Sequence, residues 1–107
     1  MKNRYFYDEA TDSIISFEDV KSLYNEAVEN GFTNEDFSTW FQLVQSYNNG
    51  TLTEVYKFSM TIWNEEKERY EDIVAIGNNA DNACKRYGVD NNLSEYPIVI
   101  SSRKIDF

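Results

Sequence analysis

Carboxylates are the only acid–base side chains that this sequence supplies in number. The chain has 19 Asp and Glu residues, one Cys and no His. Because His is both the usual acid–base catalyst near neutral pH and the commonest metal ligand, we expect neither a catalytic triad nor a zinc site. A single Cys also excludes an intramolecular disulfide and any multi-cysteine metal motif.

Two acidic turns are the candidates for a carboxylate site: Asp8, Glu9 and Asp12 lie in one, and Glu65, Glu66 and Glu68 in the other. Glycoside hydrolysis requires two carboxyl groups that face each other across a cleft, one of them with a raised pKa. An exposed turn offers nothing that would raise that pKa. Neither turn has the D-x-[DN]-x-[DN]-G spacing of an EF-hand calcium loop. We therefore predict no catalytic residue, no metal ligand and no cofactor.

The acidic excess is concentrated in one part of the chain. Residues 8–36 hold nine acidic residues against Lys21 alone, which accounts for −8 of the formal net charge of −9. The nine are Asp8, Glu9, Asp12, Glu18, Asp19, Glu26, Glu29, Glu35 and Asp36. A concentrated acidic face accelerates association with a basic partner and repels nucleic acid. It can equally be a solvated helix face that serves solubility, and both interpretations remain open.

Aromatic residues are candidate contact points for a partner. Trp40 lies on a predicted core stripe, whereas Trp63 lies opposite the buried face of its predicted strand and is a candidate for an exposed contact. The chain has eight Tyr, and we expect several at the surface, where the ring packs against a partner and the hydroxyl stays in water. Cys84 is predicted to be a small buried hydrophobe rather than a nucleophile.

The acidic residues of the first half are positioned by a predicted hairpin and two predicted helices. Residues 4–7 and 13–15 are typical of paired strands around the first acidic turn. Ser16, with Asp19 three residues later, predicts an N-cap and a capping box for a helix over residues 17–29. A second helix is predicted from Thr33 or Asn34 up to Asn48-Asn49-Gly50. Its inward stripe is Phe37, Trp40, Phe41, Val44 and Tyr47.

The second half changes to a period of two residues. Alternation over residues 56–62 predicts a strand with one buried face, and residues 64–69 predict a charged turn. Residues 70–76 are predicted to return as the second strand of a hairpin, and a helix over residues 65–76 is the competing interpretation. A short helix from Asn79 to Gly88 and a last strand over residues 98–105 complete the pattern.

The predicted fold class is α+β, with a small, mostly antiparallel sheet of three to five strands and two or three helices packed on one face. Residues 1–107 are predicted to form one domain, because the length allows a single modest core. No apolar run has the length of a membrane helix and no segment resembles a signal core, so we expect a cytoplasmic protein that contacts no membrane.

A resemblance covers about the first 55 residues. The segments RYFYDEATDSIISFEDVKSLYNEA and DFSTWFQLVQSYNNGTLTEV combine an aromatic first strand, an acidic helix, a Trp-containing helix and an NGTL-x-E-[VI] ending. This combination resembles short accessory proteins encoded by phages and prophages of low-GC Gram-positive bacteria. Small acidic anti-CRISPR and other anti-defence inhibitors are frequent among such proteins. The resemblance implies that class and a location in the cytoplasm of a bacterial host cell, and it transfers no functional residues.

The leading hypothesis is a non-enzymatic inhibitor of a bacterial defence nuclease, with RNA-guided CRISPR effectors among the candidates. Such nucleases hold nucleic acid in a positively charged channel, which a DNA-mimicking acidic surface can occupy. The predicted partner-binding residues are Asp8, Glu9, Asp12, Glu18, Glu26, Glu29, Glu35, Asp36 and Trp63. One alternative is an inhibitor that acts away from the channel, by a conformational block or by dimerising its target. Another is an antitoxin-like or structural partner of a basic protein. Direct binding of nucleic acid is not expected, because phosphate neutralisation requires Lys and Arg.

Overall fold

The computed structural model describes residues 3–107. Within them the chain forms three α-helices and five β-strands, and strand pairing is antiparallel in both hairpins and at the last strand. The predicted α+β class and mostly antiparallel pairing are confirmed. The described chain divides into two compact units, residues 3–54 and residues 55–107. The assignment of residues 1–107 to one domain stays a prediction.

The first unit begins with a hairpin of β1 (Tyr5–Asp8) and β2 (Ser13–Ser16). Helix α1 (Phe17–Glu29) follows directly, with Ser16 as its N-cap. The backbone N–H of Asp19 donates to Ser16 Oγ, and the backbone N–H of Ser16 donates to Asp19 Oδ2, both at 3.1 Å. This capping box satisfies two helix-end donors and sets the start of α1. The predicted hairpin, capping box and helix bounds are confirmed.

Helix α2 (Phe37–Leu43) begins later than predicted. Its N-cap is Asp36, whose Oδ1 accepts a hydrogen bond of 2.8 Å from the backbone N–H of Thr39. Thr33 instead forms a turn, because its Oγ1 accepts from the backbone N–H of Glu35 at 3.1 Å. Ser, Thr and Asp side chains all favour helix starts and turns, so the spacing alone selected the wrong one.

Helix α2 also ends earlier than predicted. Val44 is its C-cap, and a short 3₁₀ helix (Ser46–Asn48) follows before the chain turns back. The turn is held by hydrogen bonds of 2.9 Å from Gly50 N to Gln45 O and from Leu52 N to Val44 O. Tyr47 is 74% exposed, so its predicted place on the inward stripe was wrong: the helical period stops before it.

The first unit has an aromatic core. Phe6, Val20 and Leu52 are buried, and six further side chains pack against them: Ile15, Phe17, Phe37, Trp40, Phe41 and Val44. The rings of Phe37 and Phe41 stack at 5.4 Å, and Phe6 meets Phe41 edge-on at the same centroid distance. Such ring pairs stabilise by about 0.5–1.5 kcal/mol beyond the area that they bury. This core holds one face of α1, which leaves its other face to solvent.

The second unit contains a three-stranded arrangement. Strand β3 (Leu52–Asn64) begins in the first unit and continues into the second. It pairs with β4 (Arg69–Gly77) on one side and with β5 (Ile98–Ile105) on the other. The predicted hairpin and last strand are confirmed, and the competing helix over residues 65–76 was wrong. Strand β3 starts earlier than its period-two pattern, since Leu52 and Val55 are buried without strict alternation.

Helix α3 (Ala80–Asp90) is capped by Asn79, whose Oδ1 accepts from the backbone N–H of Asn82 at 2.8 Å. Its inward side meets β3 and β4 in a core of Phe58, Met60, Ile62, Ile73, Ala83 and Cys84. The helix continues past Gly88, where it was predicted to end. A Cβ at Gly88 would lie 3.0 Å from Pro97 Cδ, so this glycine permits close packing instead of ending the helix.

Candidate protein-binding surface

The second unit has a polar groove, which we considered as a candidate enzymatic cleft. Its volume is about 400 Å³, and its lining consists of Ser59, Met60, Thr61, Asp72, Ser101, Ser102 and Arg103. Asp72 is the single carboxylate, and its Oδ1 accepts a hydrogen bond of 2.7 Å from Thr61 Oγ1. The groove therefore lacks the carboxylate pair that glycoside hydrolysis requires. Among residues 3–107, no group of three or more acidic or thiol side chains is placed to hold a metal ion.

Two carboxyl groups have a pKa that is shifted downwards. The N–H of Thr39, which donates to Asp36, lowers the pKa of that carboxyl, with a smaller contribution from the Thr39 side chain. The amide of Asn64 lowers the pKa of Glu71, and Arg69 adds to the effect. A lowered pKa keeps the carboxylate charged near neutral pH, whereas a general acid requires a raised one. Asp36 and Glu71 therefore accept structural hydrogen bonds and carry negative charge, and their pKa values do not suit a general acid.

The cysteine is buried, as predicted. Its thiol donates to the carbonyl oxygen of Pro97 at 3.3 Å. Burial, with a contribution from Asp81, raises the pKa of Cys84. A raised pKa suppresses the thiolate that nucleophilic chemistry uses.

The first acidic turn uses two of its three carboxylates internally. Asp8 is 7% exposed, and its oxygens accept hydrogen bonds from Ala10 N at 3.1 Å and Thr11 Oγ1 at 3.2 Å. Asp12 has a φ of +51°, and its Oδ1 accepts from the hydroxyl of Tyr7 at 2.7 Å. The Glu9 side chain is exposed. Asp8 and Asp12 thus shape the hairpin, and Asp36 likewise caps α2.

Four glutamates in α1 and in the connection between α1 and α2 are exposed, and their side chains hold neither a turn nor a helix end; they are Glu18, Glu26, Glu29 and Glu35. We call these four residues the acidic surface. Glu18, at the start of α1, is 82% exposed and lies 3.5 Å from Lys21 Nζ. Glu26 and Glu29 lie at the other end of α1, where the last turn has no basic residue. Within residues 3–107, neither forms an ion pair.

The C-terminal end of α1 is an unfavourable place for these carboxylates. The helix dipole puts a partial negative charge there, and a nearby acid costs about 0.3–1 kcal/mol. Glu26 and Glu29 are also i, i+3 neighbours that repel each other. Glu18, by contrast, lies in the first turn, where the dipole favours an acid. Helix α1 therefore carries charge at its last turn at a cost to its own stability.

Trp63 belongs to the second unit and is half-buried. Its indole Nε1 donates to Glu65 Oε2 at 2.6 Å. Its ring meets that of Tyr70 edge-on at 4.9 Å, and Tyr70 is itself exposed. The predicted contact residue is thus the inner member of an aromatic pair whose outer member is Tyr70.

Hydrophobic periodicity did not identify Phe32, which is 81% exposed. Phe32 follows Asn30, the C-cap of α1, and Gly31, whose φ is +71°. The sequence alone offers one indication that Phe32 is exposed. An aromatic ring at this point normally packs on the helix residues five and six positions earlier, and in α1 these are Ala27 and Glu26. Neither offers a large apolar partner.

No protein-family model, curated protein or solved structure matches the chain significantly. Among the described residues, no helix is long and apolar enough to cross a membrane.

Proposed function

We propose that this protein is a non-enzymatic inhibitor that binds a bacterial defence nuclease through its acidic surface and thereby blocks access of nucleic acid. The observation that carries the proposal is the pair Glu26 and Glu29 at the C-terminal end of α1. Both are exposed, and neither has an ion-pair partner among the described residues.

A basic partner explains the position of this pair better than solubility does. Solubility requires negative charge anywhere on the surface, including the first turn of a helix, where acids stabilise. Acids at the last turn destabilise the free protein, and a rule broken locally without compensation is typical of a functional site. Arg or Lys side chains of a partner would offset both the carboxylates and the helix dipole.

A nuclease is the partner class that this surface fits. Proteins that hold nucleic acid use a positively charged channel built for phosphates, as RNA-guided effectors do for their heteroduplex. Carboxylates held on a helix present negative charges at fixed positions, so they compete for the same cationic groups. The same charge on this chain repels nucleic acid itself.

The test is inhibition of DNA cleavage by a panel of guide-loaded nucleases from Gram-positive bacteria. Wild-type protein is compared with the double variant Glu26→Lys/Glu29→Lys. The matched control is Glu95→Lys/Asp106→Lys, which changes the net charge equally at exposed positions of the second unit that lie outside any helix. We expect the wild type and the control to inhibit at least one nuclease and the α1 variant to fail. Equal inhibition by the two variants would exclude the acidic surface as the site that binds the nuclease.

A further inference from the structure

We propose that Phe32 is the apolar anchor of this interface and inserts into an apolar pocket whose rim carries Arg or Lys on the nuclease. The inference rests on the proposed function, and it adds an apolar pocket to the basic groups already proposed for the partner. Phe32 is the most exposed of the chain's large hydrophobic residues in the described structure. Aromatic side chains that fill a pocket near the centre of an interface are frequent binding hot spots.

The backbone beneath Phe32 is fixed. Its N–H donates to Ala27 O at 2.8 Å, and the N–H of Gly31 donates to Val28 O at 3.1 Å. These two bonds form a Schellman motif, which Gly31 permits because its φ is positive. The ring is therefore displayed from a rigid helix end. A ring held in this way loses little backbone entropy on binding.

Among residues 3–107, the Phe32 ring has no aromatic packing partner. A Schellman motif commonly includes a contact between the residue at the Phe32 position and the residues five and six positions earlier in the helix. In α1 those positions hold Ala27 and Glu26, and Phe32 makes no ring contact with another aromatic residue of the described chain. Val28, in the last turn of α1, is also exposed. A ring left uncovered at a helix end is available to a partner outside the chain.

The charges around Phe32 specify the occupant. Glu29 precedes it by three residues and Glu35 follows it by three, and both side chains are exposed. An apolar pocket on a neutral or acidic protein would place these carboxylates against an unfavourable rim. A pocket rimmed with Arg or Lys would pair with them and leave the ring desolvated at the centre.

The experiment measures affinity for the nuclease that the wild type inhibits, using Phe32→Ala and the control Tyr47→Ala, an exposed aromatic of the same unit. We expect Phe32→Ala to weaken binding about thirtyfold, with the salt dependence unchanged, and Tyr47→Ala to bind as the wild type does. Full affinity of Phe32→Ala, alongside loss of binding by Glu26→Lys/Glu29→Lys, would overturn the anchor and leave the proposed function standing. Inhibition of no nuclease by the wild type would overturn both.

A second measurement needs no partner. Since Phe32 is 81% exposed, Phe32→Ala should leave the thermal unfolding midpoint unchanged. A clear decrease would show that the ring stabilises the fold, and it would contradict the anchor role.

Discussion

The hydroxyl of Tyr24 donates a hydrogen bond of 2.7 Å to the backbone carbonyl oxygen of Glu35. Tyr24 lies in α1, and Glu35 immediately precedes the cap of α2, so the bond ties the connection between the helices to α1. The Tyr24 ring also contacts Phe37 and Trp40, at centroid distances of 5.5 and 5.4 Å. The connection between α1 and α2, which contains Phe32 and Glu35, is therefore fixed by the hydrogen bond from Tyr24 as well as by the two helix ends.

Removal of this one hydroxyl should weaken that hold. We expect Tyr24→Phe to reduce the free energy of unfolding by about 1 kcal/mol and to accelerate amide exchange in residues 31–35, because the Glu35 carbonyl loses its protein donor. Urea unfolding and hydrogen exchange measure the two effects. Tyr47→Phe is the matched control, since Tyr47 is exposed. Equal effects of Tyr24→Phe and Tyr47→Phe on unfolding and hydrogen exchange would show that the Tyr24 hydrogen bond does not stabilise the connection between the helices.

Neutralising Glu29 should stabilise the free protein. Glu29→Gln removes a charge from the negative end of α1, so we expect a gain of about 0.3–1 kcal/mol. Glu18→Gln should have the opposite sign, because it removes a favourable charge from the first turn and the contact with Lys21. Thermal unfolding at low salt measures both. Shifts in the same direction would contradict the idea that α1 holds binding charge at a cost in stability.

Glu71 should make the second unit sensitive to acid. Its Oε1 accepts a hydrogen bond of 2.6 Å from Asn64 Nδ2, and this lowers the pKa of Glu71 below its usual 4.5. A lowered pKa in the folded state stabilises the protein above the unfolded value, and the contribution is lost as the pH falls through the folded value. Glu71→Gln should therefore destabilise at pH 7 and approach the wild type below pH 4.5.

The measurement is urea unfolding over a range of pH for the wild type and Glu71→Gln. Glu95→Gln provides the control, since Glu95 is exposed. We expect the Glu95→Gln curve to run parallel to that of the wild type. A constant difference between wild type and Glu71→Gln at every pH would show that the carboxylate charge is not the source of the stability.

Two glycines of the first unit should differ in their tolerance of alanine. A Cβ at Gly50 would overlap the backbone carbonyl group of Val44, whereas a Cβ at Gly31 would meet no atom within 4 Å. Gly31→Ala is strained only by its positive φ, at about 1 kcal/mol, while Gly50→Ala should cost about 3 kcal/mol or more. Chemical denaturation ranks them. A smaller effect at Gly50 would contradict the close packing of this turn.

Local chemistry made much of the fold predictable. Ser16 and Asp19 form a reciprocal pair that only a helix start satisfies, so the start of α1 followed from sequence. Alternation over residues 56–62 and the short apolar run before Gly77 identified the hairpin of β3 and β4. The start of α2 did not follow, because Thr33 and Asp36 are both good caps and tertiary packing decides between them.

The candidate site was less predictable than the fold. Charge counting located the acidic segment but could not separate Asp8, whose oxygens bond within its turn, from Glu29, which has no such bond. Phe32 resembles a core residue in sequence. Phe32 is exposed because the helix positions on which its ring would pack hold no large apolar side chain. Hydrophobic periodicity within a helix does not detect this relationship.

Competition between this protein and target DNA for one nuclease tests the central proposal most directly. The measurement is fluorescence anisotropy of labelled target DNA bound to the guide-loaded nuclease that the protein inhibits, titrated with wild-type protein at several salt concentrations. If the acidic surface occupies the channel, we expect complete displacement of the DNA and an affinity that falls steeply as salt rises. A ternary complex that retains the DNA while cleavage is lost would contradict the proposal and would show that the protein acts away from the channel.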